Sequence, residues 1–161
     1  MAGQWILKAD VPDGVVPLAV GELASHSPAL RDTVEDAGVA YLGVVAGERD
    51  DRATVIVLAI AITVMEFPAG TDPARLVAAT LRRAYPRAVV EEFATASGAG
   101  VGMRRREPDR GPGAAVSQVL VPFAGAGLLG AVTGFCFDAE DVEMAMVLTA
   151  AIAHRMRVVP G

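Results

Sequence analysis

The chain has 161 residues, of which 53% are hydrophobic, 20% charged and 5% aromatic. This length suffices for one domain with a sizeable core, and the high hydrophobicity excludes an intrinsically disordered chain. The formal net charge of −5 disfavours a general nucleic-acid-binding protein. A lone cysteine, Cys136, excludes a disulfide framework and a multi-thiolate metal site.

The first half of the chain predicts an extended segment, one helix and two strands. Residues 1–20 contain several prolines and glycines and form an extended lead-in in this interpretation. Ser27, which is followed by a proline, predicts the start of a helix that runs to a C-cap at Gly38. A hairpin follows, with predicted strands over residues 39–47 and 53–66 and a polar loop over residues 48–52.

The second half predicts a helix, four strands and a long final helix. Asp72 and the proline after it are typical of a helix start, and Pro86 ends that helix. Its predicted apolar stripe is Leu76, Val77, Thr80, Leu81 and Ala84. The predicted strands cover residues 89–95, 99–106, 114–123 and 128–137. Asp138 then caps a C-terminal helix that extends to about Arg157, with a stripe of Val142, Ala145, Met146, Thr149, Ile152 and Met156.

Short connections join the six predicted strands, so the sheet is expected to be mainly antiparallel. Helices and strands do not alternate strictly, which favours an α+β class over a doubly wound fold. We therefore predict a single α+β domain over residues 1–161, in which helices flank a six-stranded sheet and a long helix ends the fold.

The strand over residues 53–66 is apolar on both faces. Alternate side chains of a strand point to opposite faces, and a solvated face carries charged residues. One face here is bulky, whereas the other carries compact side chains, among them Val57, Ala59, Ala61 and Thr63. The strand over residues 128–137 repeats the pattern with a smaller set that contains Gly130, Val132 and Gly134.

Two interpretations of these compact faces remain open. Either the chain's own helices cover both faces of the sheet, or one face forms a shallow apolar surface. Such a surface would dock a partner helix, a second subunit or a lipid-like ligand. The second interpretation places a partner-binding site on the compact residues of both strands.

Arg104, Arg105 and Arg106 end a predicted strand beside acidic residues. Arginine binds carboxylates and phosphates well, so Arg104 and Arg106 are candidate partner-binding residues. The alternative is that these side chains are a solvated strand end that protects a sheet edge.

The other candidates for chemistry lack the spacing that catalysis or metal binding needs. His26 and His154 are far apart in sequence and show no ligand pattern, so neither a metal nor a cofactor is predicted. Cys136 stands between two phenylalanines, which favours an inert packing thiol. The glycines of 97–102 lead into a strand rather than a helix, so they favour a turn or bulge over a phosphate loop.

The chain shows no secretion or membrane signal. Residues 1–10 have neither a basic nor a long apolar region, which predicts that there is no signal peptide. The longest apolar run, over residues 53–65, is shorter than the roughly 20 residues of a membrane helix. We expect a cytoplasmic protein without membrane insertion.

The order of the predicted elements resembles the Mog1/PsbP-like fold. The residues that carry this resemblance are the lead-in at 11–17, the paired strands at 39–66, the Asp72 helix, the four later strands and the Asp138 helix. The resemblance implies a binding module, since members of the fold include a Ran-binding import factor, photosystem accessory subunits and chaperones that shield apolar helices. Residues 36–43 also resemble uncharacterised actinobacterial proteins, some of them linked to secretion loci.

Three functional hypotheses follow. The first is a non-enzymatic interaction module, an adaptor or a chaperone-like protein, that uses an apolar sheet face. The second is a homodimer formed through that same face, without a small-molecule ligand. The third is a small-ligand-binding protein or enzyme with a site near His26 or near Arg104–Arg106.

Overall fold

The structure, a computed structural model, describes residues 5–17, 38–48, 54–67, 70 and 72–161. Within these residues the chain is α+β, and one α-helix packs on each face of the larger of two antiparallel sheets. The described strands are β1 (Trp5–Lys8), β2 (Val16–Pro17), β3 (Gly38–Glu48), β4 (Thr54–Glu66), β5 (Val89–Thr95), β6 (Gly98–Arg106), β7 (Ala115–Phe123), β8 (Leu128–Cys136) and β9 (Arg157–Pro160). The described α-helices are α1 (Pro73–Ala84) and α2 (Val142–His154).

The larger sheet has seven strands in the order β2-β3-β4-β8-β7-β6-β5, and all neighbours are antiparallel. Strands β3 to β8 correspond to the six predicted strands, so the α+β class and the antiparallel sheet between helices are confirmed. The two-residue β2 adds a seventh strand, and β1 and β9 pair in a separate sheet. None of these three short strands was predicted.

Helix α1 begins as its sequence predicts. Asp72 Oδ1 accepts a hydrogen bond from the Arg75 amide at 3.2 Å, and a proline occupies the first turn. The buried face, however, contains Ala74, Val77 and Ala78, which pack on β6, β7 and β8. The predicted stripe is wrong at Leu76, Thr80 and Ala84, which are exposed, because the side of the helix that faces the sheet begins at Ala74.

Helix α2 packs closely on the opposite face, across β7 and β8. A Cβ atom on Gly134 would lie 2.9 Å from Thr149 Cγ2, and one on Gly130 would lie 2.8 Å from Met156 Cε. Carbon atoms in contact stay about 3.5–4.0 Å apart, so Gly134 lets the helix approach the sheet, and Gly130 leaves room for the Met156 side chain that follows the helix. The buried residues of α2 include three from the predicted stripe, namely Ala145, Thr149 and Ile152.

The boundaries of the final helix differ from the prediction. A short 3-10 turn, Ala139–Asp141, follows Asp138, and α2 begins only at Val142. The helix ends at His154 because the following residues pair with β1, with Val158 opposite Leu7. The helix predicted to start at Ser27 and the loop at 49–52 lie outside the described residues. Gly38, the predicted C-cap, is the first residue of β3.

Candidate functional site

The two compact sets on β4 and β8 lie on opposite faces of the sheet. Ile60 pairs with Gly134, whereas Ala61 pairs with Thr133. Because paired residues of antiparallel strands point to the same face, the bulky residues of β4 stand beside the compact residues of β8. The two sets therefore do not form one surface.

The predicted compact residues of both strands are buried in the structure. On the α1 side, Ala59 is 2% exposed, Ala61 is 1% exposed and Thr63 is 6% exposed. Val57 is also buried, but it packs in the cluster under α2, since a bulge shifts the β3–β4 register at this point. The other three predicted residues lie beneath α2, namely Gly130, Val132 and Gly134.

The arginines at the end of β6 alternate across the sheet. Arg105 faces the α1 side, where it forms an ion pair with Glu107 and lies 4.3 Å from the ring centroid of Tyr85. Arg104 and Arg106 are exposed on the α2 side, as strand alternation predicts. Arg104 Nη1 lies 3.3 Å from Met146 Sδ on α2.

A groove runs between α2 and the β5–β6 hairpin. The Phe93 side chain lies over β6, where its Cε1 atom would be 3.4 Å from a Cβ on Gly102 and its Cζ atom 3.4 Å from a Cβ on Gly100. Because Gly100 and Gly102 have no side chains, the Phe93 ring can lie flat against β6. The glycines of this segment do not form a phosphate loop, and Gly98, at φ 126°, is the first residue of β6, directly after the hairpin turn.

The hairpin is tied to the C-terminal end of α2. The Ala96 amide donates to the carbonyl of His154 at 3.2 Å, and the Ser97 hydroxyl donates to the carbonyl of Met156 at 2.7 Å. These two hydrogen bonds connect the walls of the groove at one end. The groove is therefore formed before any ligand arrives.

Two cavities follow the groove and share Phe93 and Ala150 in their walls. The smaller one, of about 180 Å³, is lined by apolar side chains together with Glu91 and Arg104. The larger one, of about 650 Å³, lies towards the end of α2, where His154 is part of the wall. Arg104 is thus the predicted candidate that the structure places in a groove.

The side of α2 that faces solvent is mostly apolar. Val147 is 63% exposed, which is the largest exposed fraction among the large hydrophobic side chains of the described residues. We call the exposed side the α2 stripe; its members are Glu143, Val147, Ala150, Ala151 and His154. A helix that is apolar all round is usually buried on all sides, so the α2 stripe is a candidate contact surface.

The sequence of α2 contains a pattern that indicates this stripe. The helix reads VEMAMVLTAAIAH, with apolar residues on both of its sides. The stripe predicted for this helix lies only on the side that faces the sheet. The groove itself could not be predicted, because Phe93 meets α2 only through the tertiary packing.

The remaining candidates do not form a catalytic or metal site among the described residues. Cys136 is buried, and burial raises the pKa of its thiol, as expected for a packing cysteine. Asp138, Glu140 and Asp141 lie near one another, but each already has an interaction partner. His26 lies outside the described residues.

Comparisons with known proteins identify the fold. No protein-family model matches the chain, and a sequence search of curated proteins gives no significant match. None of the described helices is long and apolar enough to cross a membrane.

Two solved structures are similar over nearly the whole chain. One is LpqN, which is involved in cell envelope biogenesis of Mycobacterium tuberculosis, with a TM-score of 0.52, 14% identity and coverage of 98% of this chain and 86% of that one. The other is the cyanobacterial PsbP protein CyanoP from Synechocystis sp. PCC 6803, with a TM-score of 0.50, 13% identity and coverage of 99% and 94%. The chain is therefore similar in fold to the PsbP-like proteins, as its order of elements predicts.

Proposed function

We propose that the chain is a non-enzymatic protein-interaction module that binds apolar side chains of a protein partner along the α2 stripe and the adjoining groove. The observation that carries this proposal is the exposed apolar side of α2, with Val147 at its centre. Apolar area removed from water by a partner contributes about 25 cal/mol per Å², so such a surface favours association.

The groove adds polar groups that orient a partner. Arg104 and Glu91 stand at the smaller cavity, and His154 stands at the larger one. Polar groups around an apolar centre are typical of protein interfaces, in which they contribute specificity more than affinity. Arg104 suits a carboxylate of the partner, because a guanidinium has five donors in a rigid fork.

The hydroxyl nearest the groove supports a non-enzymatic role. Ser117 lines the smaller cavity, but its Oγ atom lies 3.2 Å from Thr149 Oγ1 and the side chain is 6% exposed. Thr149 in turn donates to the carbonyl of Ala145 at 2.8 Å. A nucleophile needs a base within reach, and this serine has a structural hydroxyl partner instead.

Site-specific photocrosslinking in the cells that make the protein tests the proposal. A benzophenone amino acid replaces Val147 in one variant and Leu76 in the control, which is 52% exposed on α1. We expect a discrete protein adduct from position 147 that is weak or missing from position 76. Filling the groove by Ala150→Trp should reduce that adduct. Equal labelling at the two positions, or none at position 147, would overturn the proposal.

A further inference from the structure

Two antiparallel copies of the α2 stripe would place the acidic end of one helix beside the basic end of the other. Glu143 stands at the N-terminal end, His154 stands at the C-terminal end, and apolar side chains lie between them. From this order we infer that the partner of the α2 stripe is a second copy of this chain, docked with its α2 antiparallel around a two-fold axis. The inference rests on the proposed function, since it names the occupant of the same surface.

The positions of the stripe residues along α2 are compatible with a two-fold axis. An α-helix rises 1.5 Å per residue, so Glu143 and His154 are about 16 Å apart. With the axis midway between Leu148 and Thr149, Glu143 faces His154 of the second copy, and Val147 faces Ala150 of the second copy. Both pairs have the same midpoint, so a single axis satisfies them together. This is the geometry of an isologous interface.

The side chains on each side of the axis are complementary in size and charge. Val147 is the most exposed large side chain of the helix, and Ala150 opposite it is among the smallest. A carboxylate facing an imidazole is attractive, all the more when the imidazole is protonated. A parallel arrangement would place Glu143 against its own copy, where like charges repel. Antiparallel docking is therefore the favoured orientation.

The contact has room to extend beyond the helix. A specific interface buries more than about 1,000 Å² in total, which one helical stripe does not reach by itself. Val89 on β5 is 44% exposed and lines the smaller cavity of the groove beside α2. Val11 and Pro12 line the larger cavity. Contacts made by Val89, Val11 and Pro12 would therefore add to the area buried by the α2 stripe.

Analytical ultracentrifugation of the purified chain over a concentration series tests this inference. We expect a monomer–dimer equilibrium that Val147→Glu weakens by at least about tenfold, because the change buries a charge at the centre. The matched control Leu76→Glu alters an exposed apolar residue on α1, which is 52% exposed, and should leave the dimer unchanged. Val147→Ser replaces Val147→Glu if circular dichroism shows that the charged variant is unfolded.

A charge exchange tests the antiparallel orientation. Glu143→Lys and His154→Glu should each weaken the dimer, whereas the double variant should restore it to within about threefold, since opposite charges again face each other. A chain that stays monomeric at millimolar concentration, a dimer that survives both Val147 variants, or a double variant no tighter than the singles would overturn the inference. If the chain is monomeric but the position 147 adduct contains another protein, only the second copy is refuted. If there is no adduct either, the proposed function fails as well.

Discussion

The close approach of α2 to the sheet depends on Gly134, so Gly134→Ala should destabilise the protein. The added Cβ atom would lie 2.9 Å from Thr149 Cγ2, 3.5 Å from Leu58 Cδ1 and 3.6 Å from Ala145 Cβ. Only the first of these distances is shorter than an ordinary contact. Thr149 cannot easily turn its methyl group away, because its hydroxyl is hydrogen-bonded to the carbonyl of Ala145 at 2.8 Å.

The size of the effect follows from two opposing contributions. Overpacking a core costs about 1–3 kcal/mol, whereas removing a glycine from a strand returns about 0.5–1 kcal/mol. We therefore expect a net loss of about 1 kcal/mol, and of at most about 2.5 kcal/mol, in the free energy of unfolding, with Tm falling by about 2–4 °C per kcal/mol for a chain of this size. Urea denaturation and calorimetry measure both quantities. Gly102→Ala is the matched control, because its Cβ atom would meet nothing closer than Phe93 Cε1 at 3.4 Å.

A compensating change identifies the contact responsible. Thr149→Ser removes the Cγ2 methyl group and keeps the hydroxyl, so by itself it should cost about 1 kcal/mol. Combined with Gly134→Ala, it should cost much less or become favourable, and the coupling free energy should exceed about 0.5 kcal/mol. Additive effects, or a Gly134→Ala variant as stable as Gly102→Ala, would refute the assignment of the close approach to this pair.

Two further predictions concern α1 and the buried thiol. Asp72→Ala should cost about 1 kcal/mol by chemical denaturation because the capping hydrogen bond to the Arg75 amide is lost, whereas Asp72→Asn should retain most of the stability; equal losses in the two variants would contradict the capping role. Burial raises the pKa of Cys136 above its ordinary value of 9.0, so the stability linked to this thiol is complete below pH 9 and is lost as the pH rises through the folded-state pKa. Ellman's reagent should accordingly label the native protein at pH 8 far more slowly than the urea-unfolded chain, and equal labelling rates would contradict this.

Local signals in the sequence sufficed for most of the architecture. The alternation along β4, the proline after Asp72 and the polar turn before β7 lie within short segments, and each predicted its element. The short strands β1 and β9 escaped prediction for a physical reason. Each has four residues and is stabilised by pairing with a strand about 150 residues away, a contact that no local pattern reveals.

Strand register decides which side chains of β4 and β8 share a face, and the sequence alone did not predict it. Alternation correctly separated the compact and bulky sides of β4 and of β8, but it cannot say which sides coincide. That depends on the pairing of Ile60 with Gly134, and a shift of one residue would reverse every side chain of one strand. At Val57, a bulge also interrupts the alternation itself. The face on which Arg104 lies, by contrast, follows from alternation within its own strand.

The predicted compact residues of the sheet are buried, whereas the outer side of α2 is already exposed to solvent. Reaching the face of the sheet beneath α2 would require the removal of that helix, which packs closely on Gly134. The outer side of α2 needs no such change, because buried residues fix the helix and two hydrogen bonds connect its C-terminal end to the β5–β6 hairpin. A surface that is already ordered loses little conformational entropy on binding. Among the described residues, the α2 stripe is therefore an apolar surface that a partner can reach without disrupting the core.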